Sequence, residues 1–329
     1  AIDAASAGGA SALTVGNTAG GTGLTTLSGT VGGTNAITSF SVEDALSLGA
    51  SVTTTGTQTY SGAVTLGADT SLATTNSTVT FGATLDSDST ARALTITAGS
   101  GDIYFGGAMG DTNTLGAVTV SNAADVTVNG LRATSFAQTA GTGTTTINTG
   151  AFASTPQGIA TSASAGVVIN NDVITINDSI DTTGAGVVTL TTDNGLLTIA
   201  ADGHINADGA VHLTGSTGIQ TAGDITTTAD NVTFVSATTL TGGIVINTGN
   251  GAGTVAFNST LDSEASEYNT LEITADSGNI DFDAAVGSAT DGELGAITVH
   301  SAQNVTADYG LDAASLRQVA GSGTTTFTG

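Results

Sequence analysis

Three short motifs place two acidic residues two positions apart, so that both carboxylates lie on one side of an extended strand. Paired oxygens of this kind are ligands that Ca²⁺ takes, and paired carboxylates supply acid and base for glycosidic cleavage. The first two motifs are equivalent between internal copies, and the glycine-rich nonapeptide of Ca²⁺-binding β-rolls is absent. We therefore interpret all three as a solvated face, with Ca²⁺ binding as the alternative. The residues are Asp86, Asp88, Asp262, Glu264, Asp281 and Asp283.

Cationic residues that a polysaccharide lyase needs beside its acidic substrate are scarce. The chain has three arginines, Arg92, Arg132 and Arg317, and no lysine. The first two are replaced by Asn269 and Asp312 in the later copy. Since a β-helix fold alone does not make a catalytic site, we predict that the protein is not an enzyme and name no catalytic residue.

Histidine and serine patterns also give no indication of a catalytic site. An Asp-Gly turn separates His204 from His212, and His300 is remote in sequence, so we predict exposed strand or turn residues. No Gly-x-Ser-x-Gly nucleophile elbow occurs.

Threonine ladders on successive coils of a flat solenoid face can order water as ice does. The threonine runs 53–55, 144–146, 226–228 and 324–326 are far apart in sequence, so we predict ordinary strands and keep ice binding as a minor alternative.

The formal net charge of −25 arises from 28 acidic residues against three basic ones. Such a surface repels phosphate backbones and anionic lipids, so we expect neither nucleic-acid binding nor membrane insertion. Cysteine is absent, which excludes disulfides and thiolate metal sites. The chain shows no signal peptide or long apolar run, and we expect it to be a segment of a longer protein.

The elements that must position these residues are repeated. Residues 93–150 recur as 270–329, with a shorter copy at 12–42. Apolar positions are kept while those between them change, as from Thr95 to Glu272 and from Tyr104 to Asp281. Alternate apolar positions whose neighbours tolerate a charge are typical of half-buried β-strands. The many Thr and Val residues favour strands through their branched β-carbons.

Equivalent strands recur about every 20 to 25 residues, which is within the period range of solenoids. Two or three short strands fit into each recurrence, so we predict one continuous all-β parallel β-solenoid over residues 1–329, with roughly fifteen coils. A string of antiparallel sandwiches is the alternative, but unequal spacing between copies disfavours it. Residues 151–165, which include Pro156, break the pattern and are predicted to form a protruding loop.

Several stretches resemble the repeats of giant bacterial surface proteins of the filamentous-haemagglutinin-like or β-strand-repeat type. They are residues 55–68, residues 222–228 and the Gly-Thr-Gly-Thr-Thr-Thr turn. The resemblance implies secretion, a right-handed parallel β-solenoid and a role in fibres, adhesion or biofilm matrix.

We therefore predict a structural component of an extracellular fibre, giant adhesin or biofilm matrix, located outside the cell or on its surface. Its expected partners are further copies or the continuation of the same protein, stacked end to end into a filament, and surface polysaccharide. The alternative is a carbohydrate-binding or carbohydrate-cleaving β-helix protein. Four tyrosines and no tryptophan leave that alternative few rings for sugar stacking.

Overall fold

The computed structural model describes residues 1–6, 9, 11–16, 23–152 and 155–328. Within these ranges the regular structure is entirely β-strand, and there is no helix of the length and apolar character that crossing a membrane requires. Contacts divide the chain into two compact units. Unit 1 comprises residues 1–161 and 169–171, and unit 2 comprises residues 162–168 and 172–329.

The strands of the first part of the chain are β1 (Ala12–Val15), β2 (Leu24–Leu27), β3 (Ser39–Val42), β4 (Ala45–Leu48), β5 (Val52–Thr53), β6 (Gln58–Tyr60), β7 (Val64–Leu66), β8 (Thr70–Ala73), β9 (Val79–Phe81), β10 (Leu85–Ser87), β11 (Leu94–Thr97), β12 (Ile103–Phe105), β13 (Leu115–Asn122), β14 (Val126–Asn129), β15 (Leu131–Gln138), β16 (Thr144–Asn148), β17 (Ile159–Thr161) and β18 (Val167–Asn171).

The strands that follow are β19 (Val173–Ile176), β20 (Ile180–Thr182), β21 (Val188–Thr192), β22 (Leu197–Ile199), β23 (Ile205–Ala207), β24 (Val211–Gly215), β25 (Ile219–Thr221), β26 (Ile225–Thr227), β27 (Val232–Phe234), β28 (Thr238–Leu240), β29 (Ile244–Asn247), β30 (Val255–Phe257), β31 (Leu261–Ser263), β32 (Leu271–Thr274), β33 (Ile280–Phe282), β34 (Leu294–Ser301), β35 (Val305–Ala307), β36 (Ala313–Gln318) and β37 (Thr325–Phe327).

The coils have three sides, and strands pair in parallel with their counterparts in adjacent coils. Where a coil has no strand on one side, an isolated parallel bridge continues the stack, as at Met109 between Leu85 and Leu131. In unit 1 the sides run β1-β3-β6-β9-β12-β14-β16, β2-β4-β7-β10 and β5-β8-β11-β13-β15-β17. In unit 2 they run β19-β22-β25-β28-β31, β20-β23-β26-β29-β32-β34-β36 and β21-β24-β27-β30-β33-β35-β37. This arrangement confirms the parallel β-solenoid and is inconsistent with antiparallel sandwiches.

The coil length varies as the sequence predicts. Val79 pairs with Ile103 24 residues later, whereas Val126 pairs with Thr145 19 residues later. The solenoid has about 13 turns, slightly fewer than the fifteen predicted. Some extra residues lie inside strands. The register shifts between Ile96 and Thr97 where β11 pairs with β13, and between Ile273 and Thr274 where β32 pairs with β34.

The predicted inward positions form the core. Leu94, Phe105, Leu271 and Phe282 are at most 1% exposed, while the alternate residues face solvent. Aromatic rings stack from coil to coil in both units. Tyr60, Phe81 and Phe105 stack at centroid distances of 4.8 and 5.6 Å, and Phe234, Phe257 and Phe282 at 4.6 and 5.5 Å.

The predicted loop at 151–165 is wrong for part of its length. Ile159–Thr161 forms β17 and pairs with Leu131, Arg132 and Ala133 of β15. Pro156 precedes this strand and so removes none of its backbone donors, which is why the solenoid tolerates it. Residues 153 and 154 of that segment lie outside the described residues.

The copy at 12–42 is displaced by one side of the coil. The sequence aligns residues 12–15 with 93–96 and residues 39–42 with 117–120, which equates β1 with β11 and β3 with β13. In the structure, β1 and β3 instead lie on the side that carries β12. That part of the prediction is wrong. Because all three sides use the same inward and outward alternation, the pattern alone does not identify the side. Residues 17–22 of this copy lie outside the described residues.

Candidate functional site

Asp86 and Asp262 hold the loop of the following coil through its backbone. The Asp86 Oδ1 atom accepts hydrogen bonds from the N–H groups of Thr112 at 2.9 Å and Asn113 at 3.3 Å. Asp262 Oδ1 accepts from the Ala289 N–H group at 2.9 Å. One oxygen of each carboxylate is therefore bonded to backbone donors of this protein.

The N-terminal part of the chain contains the same clamp at Asp3. Its Oδ1 atom accepts from Thr34 N–H at 2.9 Å and from Asn35 N–H at 3.4 Å. In all three cases a glycine with a left-handed backbone lies shortly before the clamped loop, at Gly32, Gly110 and Gly287 with φ of 69°, 69° and 70°. A side chain there would be strained, so the glycine and the aspartate together fix the turn.

Asp88 is paired with Arg92 in a bidentate contact. The Nε and Nη2 atoms of Arg92 donate to Asp88 Oδ1 and Oδ2 at 3.0 and 2.7 Å, and Thr90 N–H adds a bond of 2.8 Å. The Arg92 hydrogen bond, assisted by that of Thr90, lowers the pKa of Asp88. This carboxylate is a stable anion held by its own chain.

The equivalent site in the later copy keeps the backbone contact without the ion pair. Arg92 N–H donates to Ser87 Oγ at 2.9 Å, and Asn269 N–H donates to Ser263 Oγ at the same distance. Asn269 Nδ2 also donates to the Leu240 carbonyl at 2.9 Å. Glu264 is half-buried there, with no arginine at the position of Arg92.

The third acidic pair lies on an outer side of unit 2. Asp281 stacks between Ala256 and Thr306 of the adjacent coils. Burial, then the like charges of Asp283 and Asp308, raise its pKa, against a hydrogen bond with Thr306 that lowers it. Like charges beside a carboxylate, with no cation to offset them, repel its ionised form. The sequence did not predict Asp308, because it belongs to the next coil.

Among the described residues, no group of three or more histidine, cysteine, aspartate or glutamate side chains is arranged to hold a metal ion. The six candidate residues do not form one cluster. They are divided between backbone clamps, an ion pair and a strip of like charge.

The histidines lie on strands or turns, as predicted. His212 and His300 are exposed on β24 and β34, and His300 Nε2 lies 2.9 Å from Glu272 Oε2. His204 accepts a hydrogen bond on Nδ1 from the Asp224 N–H group at 3.2 Å. These positions are separate from the acidic pairs.

Outward threonines occur on neighbouring coils, although the runs of three threonines are far apart in the chain. Thr59 pairs with Thr80, and Thr127 pairs with Thr146. Tyr104 lies between these two pairs and interrupts the ladder. These short ladders are built from single threonines one coil apart, which the spacing of the runs does not reveal.

Two of the surface grooves in unit 2 lie away from residues 318–323. The larger, of about 810 Å³, lies between residues 285–293 and 310–312. The smaller, of about 270 Å³, is lined by Asn206, Thr226 and Asp208 among others. Asp208 accepts from Ala185 N–H at 2.7 Å and from the Thr228 hydroxyl at 2.8 Å, and these bonds lower its pKa. Its carboxylate is thus held by the walls of its own groove.

No protein-family model matches the sequence, and neither a curated protein nor a solved structure matches the chain.

Proposed function

We propose that the chain is a structural, non-catalytic segment of an extracellular fibre, giant adhesin or biofilm matrix at the cell surface. The observation that carries the proposal is the use of the acidic side chains. Asp3, Asp86 and Asp262 clamp backbone of the next coil, and Asp88 pairs with Arg92. These residues support the stacking of coils, which suits a protein whose role is length and stiffness.

The interior supports the same proposal. Every coil adds backbone hydrogen bonds on three sides, and its apolar side chains pack only against neighbouring coils. A force along the stacking direction is then resisted by many ladders in parallel. We propose that further copies or a continuation of the same protein extend the stack, which produces a filament if copies join end to end.

The test is single-molecule stretching of the full chain from its two ends. We expect a series of release events, because each coil has its own core contacts and is held by its neighbours. A coil of 19 to 24 residues lengthens the chain by about 6 to 8 nm when it is released. One low-force event that releases the whole chain would contradict the structural role.

A carbohydrate-binding role has one supporting observation, the smaller groove with its amide and hydroxyl groups at Asn206 and Thr226. Such groups suit sugar hydroxyls, although the groove has no aromatic lining. Titration with acidic and neutral matrix polysaccharides, followed by product analysis, tests it. Saturable binding that Asn206→Ala abolishes would support binding, and release of shorter sugars would identify an enzyme.

A further inference from the structure

The side chains that β36 and β37 direct inward are exposed, unlike those of the coils before them. We call Leu316, Gln318, Thr325 and Phe327 the β36–β37 face. Leu316 is 37% exposed and Phe327 is 51% exposed. The Thr325 hydroxyl donates to Gln318 Oε1 at 2.5 Å across this face. An apolar surface with an ordered polar pair resembles an interface that lacks its partner.

Unit 1 contains the same face in covered form. By the alignment of the two copies, Phe136, Gln138, Thr145 and Ile147 correspond to Leu316, Gln318, Thr325 and Phe327. All four are fully buried. The hydroxyl of Thr145 donates to Gln138 Oε1 at 2.5 Å, which is the contact that Thr325 makes with Gln318.

The cover in unit 1 includes β17 and the side chain of Asn171. Strand β17 pairs with β15, and Asn171 is itself fully buried. Asn171 Nδ2 donates to Thr145 Oγ1 at 2.9 Å, and its Oδ1 atom accepts from Gly143 N–H at 3.1 Å. Since the Thr145 proton already goes to Gln138, the incoming group must donate to the threonine oxygen. An amide does this and also accepts from the glycine.

The β36–β37 face differs from its unit 1 counterpart at the position that the Asn171 amide occupies in unit 1. In unit 1, Asn171 Nδ2 also donates to the Ala124 carbonyl at 3.2 Å, so the amide joins Ala124 and Gly143. In unit 2, the counterpart Gly323 donates directly to the carbonyl of Gln303 at 2.8 Å. An asparagine that covers the β36–β37 face would replace this direct bond by the same amide bridge.

We propose that the β36–β37 face binds a parallel coil of the 155–171 repeat type, which inserts an asparagine amide at the position of Asn171. This inference rests on the proposed function, in which further coils extend the stack, and adds the side chain that the next coil must supply. The N-terminal strand pair of a second copy fits less well. The inward residues of β1 and β2 are Leu13, Val15, Thr25 and Leu27, which offer no amide.

The test appends a copy of residues 150–177 after Gly329 of the full chain. Hydrogen exchange of residues 311–328 is then compared with that of the original chain. We expect backbone N–H groups of β36 and β37 that face away from β34 and β35 to exchange at least about tenfold more slowly. In the appended copy, Asn171→Ala should abolish this protection, whereas Asn170→Ala, which alters the half-exposed neighbour, should leave it.

A second readout uses the absence of cysteine. Leu316→Cys in the original chain should react rapidly with a maleimide, and the appended coil should slow that reaction at least about tenfold by covering the thiol. If the coil slows neither exchange nor labelling, or if its Asn171→Ala form protects equally well, the proposal is wrong.

The original chain, without the appended coil, is a further control. If its β36 and β37 become protected from hydrogen exchange as the protein concentration rises, a second copy covers the face and the proposal is wrong. Docking of the appended coil is independent of mechanical resistance. A chain that docks the coil but yields in one low-force event would therefore contradict the structural role alone.

Discussion

At the scale of single residues, several acidic side chains of this protein hold its own backbone. Asp86 spans from one coil to the Thr112 and Asn113 N–H groups of the next. A cation at Asp86 would compete for an oxygen that already accepts these two bonds. The clamp and the Ca²⁺ alternative therefore make different predictions for the same position.

We predict that Asp86→Ala increases hydrogen exchange in the loop around Thr112 by about five- to tenfold, since net hydrogen bonds of this kind contribute about 1 kcal/mol. Asp86→Asn, which keeps an oxygen acceptor but loses the charge, should stay close to the original protein. Hydrogen-exchange mass spectrometry of both variants measures this. If the asparagine variant is as damaged as the alanine variant and Ca²⁺ protects only the original loop, the site binds metal.

Asp281 gives a pH prediction. Burial and the neighbouring charges raise its folded-state pKa above the usual value of 3.8, so the ionised form destabilises the folded state. That penalty is present above the raised pKa and disappears as the pH falls towards 3.8. We expect Asp281→Asn to raise the melting temperature at pH 7, with a gain that shrinks on acidification through this interval.

Asp283→Asn is the matched control. It removes the repulsion between Asp283 and Asp281 but leaves the burial of Asp281, which is the larger cause of its raised pKa. It should give a smaller gain at pH 7. Thermal melts of the three proteins between pH 7 and pH 4 make the comparison. A loss of stability in Asp281→Asn at pH 7 would show that the carboxylate has a stabilising partner.

At the scale of strands, stacked aromatic rings concentrate the packing energy. Phe257 lies between Phe234 and Phe282, and all three are at most 1% exposed. We predict that Phe257→Ala destabilises unit 2 by about 3 to 5 kcal/mol, the range for large-to-small changes in a core. Val245→Ala, on the exposed outer side of β29, should change stability by less than about 0.5 kcal/mol.

Denaturant unfolding monitored by hydrogen exchange can compare the Phe257→Ala and Val245→Ala variants. It reports on individual strands, which matters because coils of a repeat protein can unfold separately. Loss of protection in β27, β30 and β33 at lower denaturant is the expected result for Phe257→Ala. Equal effects of the two substitutions would contradict the assignment of β30 to the core.

The sequence predicts which residues form the core better than it predicts contacts between coils. The alternation identified Leu94, Phe105, Leu271 and Phe282 as core because burial favours apolar side chains at the inward positions. It did not identify the side on which β1 lies, since all sides share that alternation. Nor did it distinguish Asp86 as a clamp from a metal ligand, because its partners are N–H groups 26 and 27 residues away.

At the scale of the whole molecule, charge is the dominant feature. The formal net charge of −25 arises in a chain with only three basic residues, of which Arg92 and Arg132 are already paired with Asp88 and Asp111. Acidic side chains from successive coils therefore repel one another, as Asp281, Asp283 and Asp308 illustrate. Stacking must overcome this repulsion within each coil interface and wherever a further coil is added.

We predict that the melting temperature rises with NaCl from about 0.01 to 0.15 M, because the screening length falls from about 30 to 8 Å and weakens the repulsion between coils. Docking of the appended coil on the β36–β37 face should strengthen over the same range. CaCl₂ at matched ionic strength is the control that separates screening from binding. Screening alone predicts only a modest advantage for the divalent ion, unchanged by Asp86→Asn. A large Ca²⁺-specific rise that Asp86→Asn removes would instead show that the acidic motifs hold the metal, and that coil stacking depends on it.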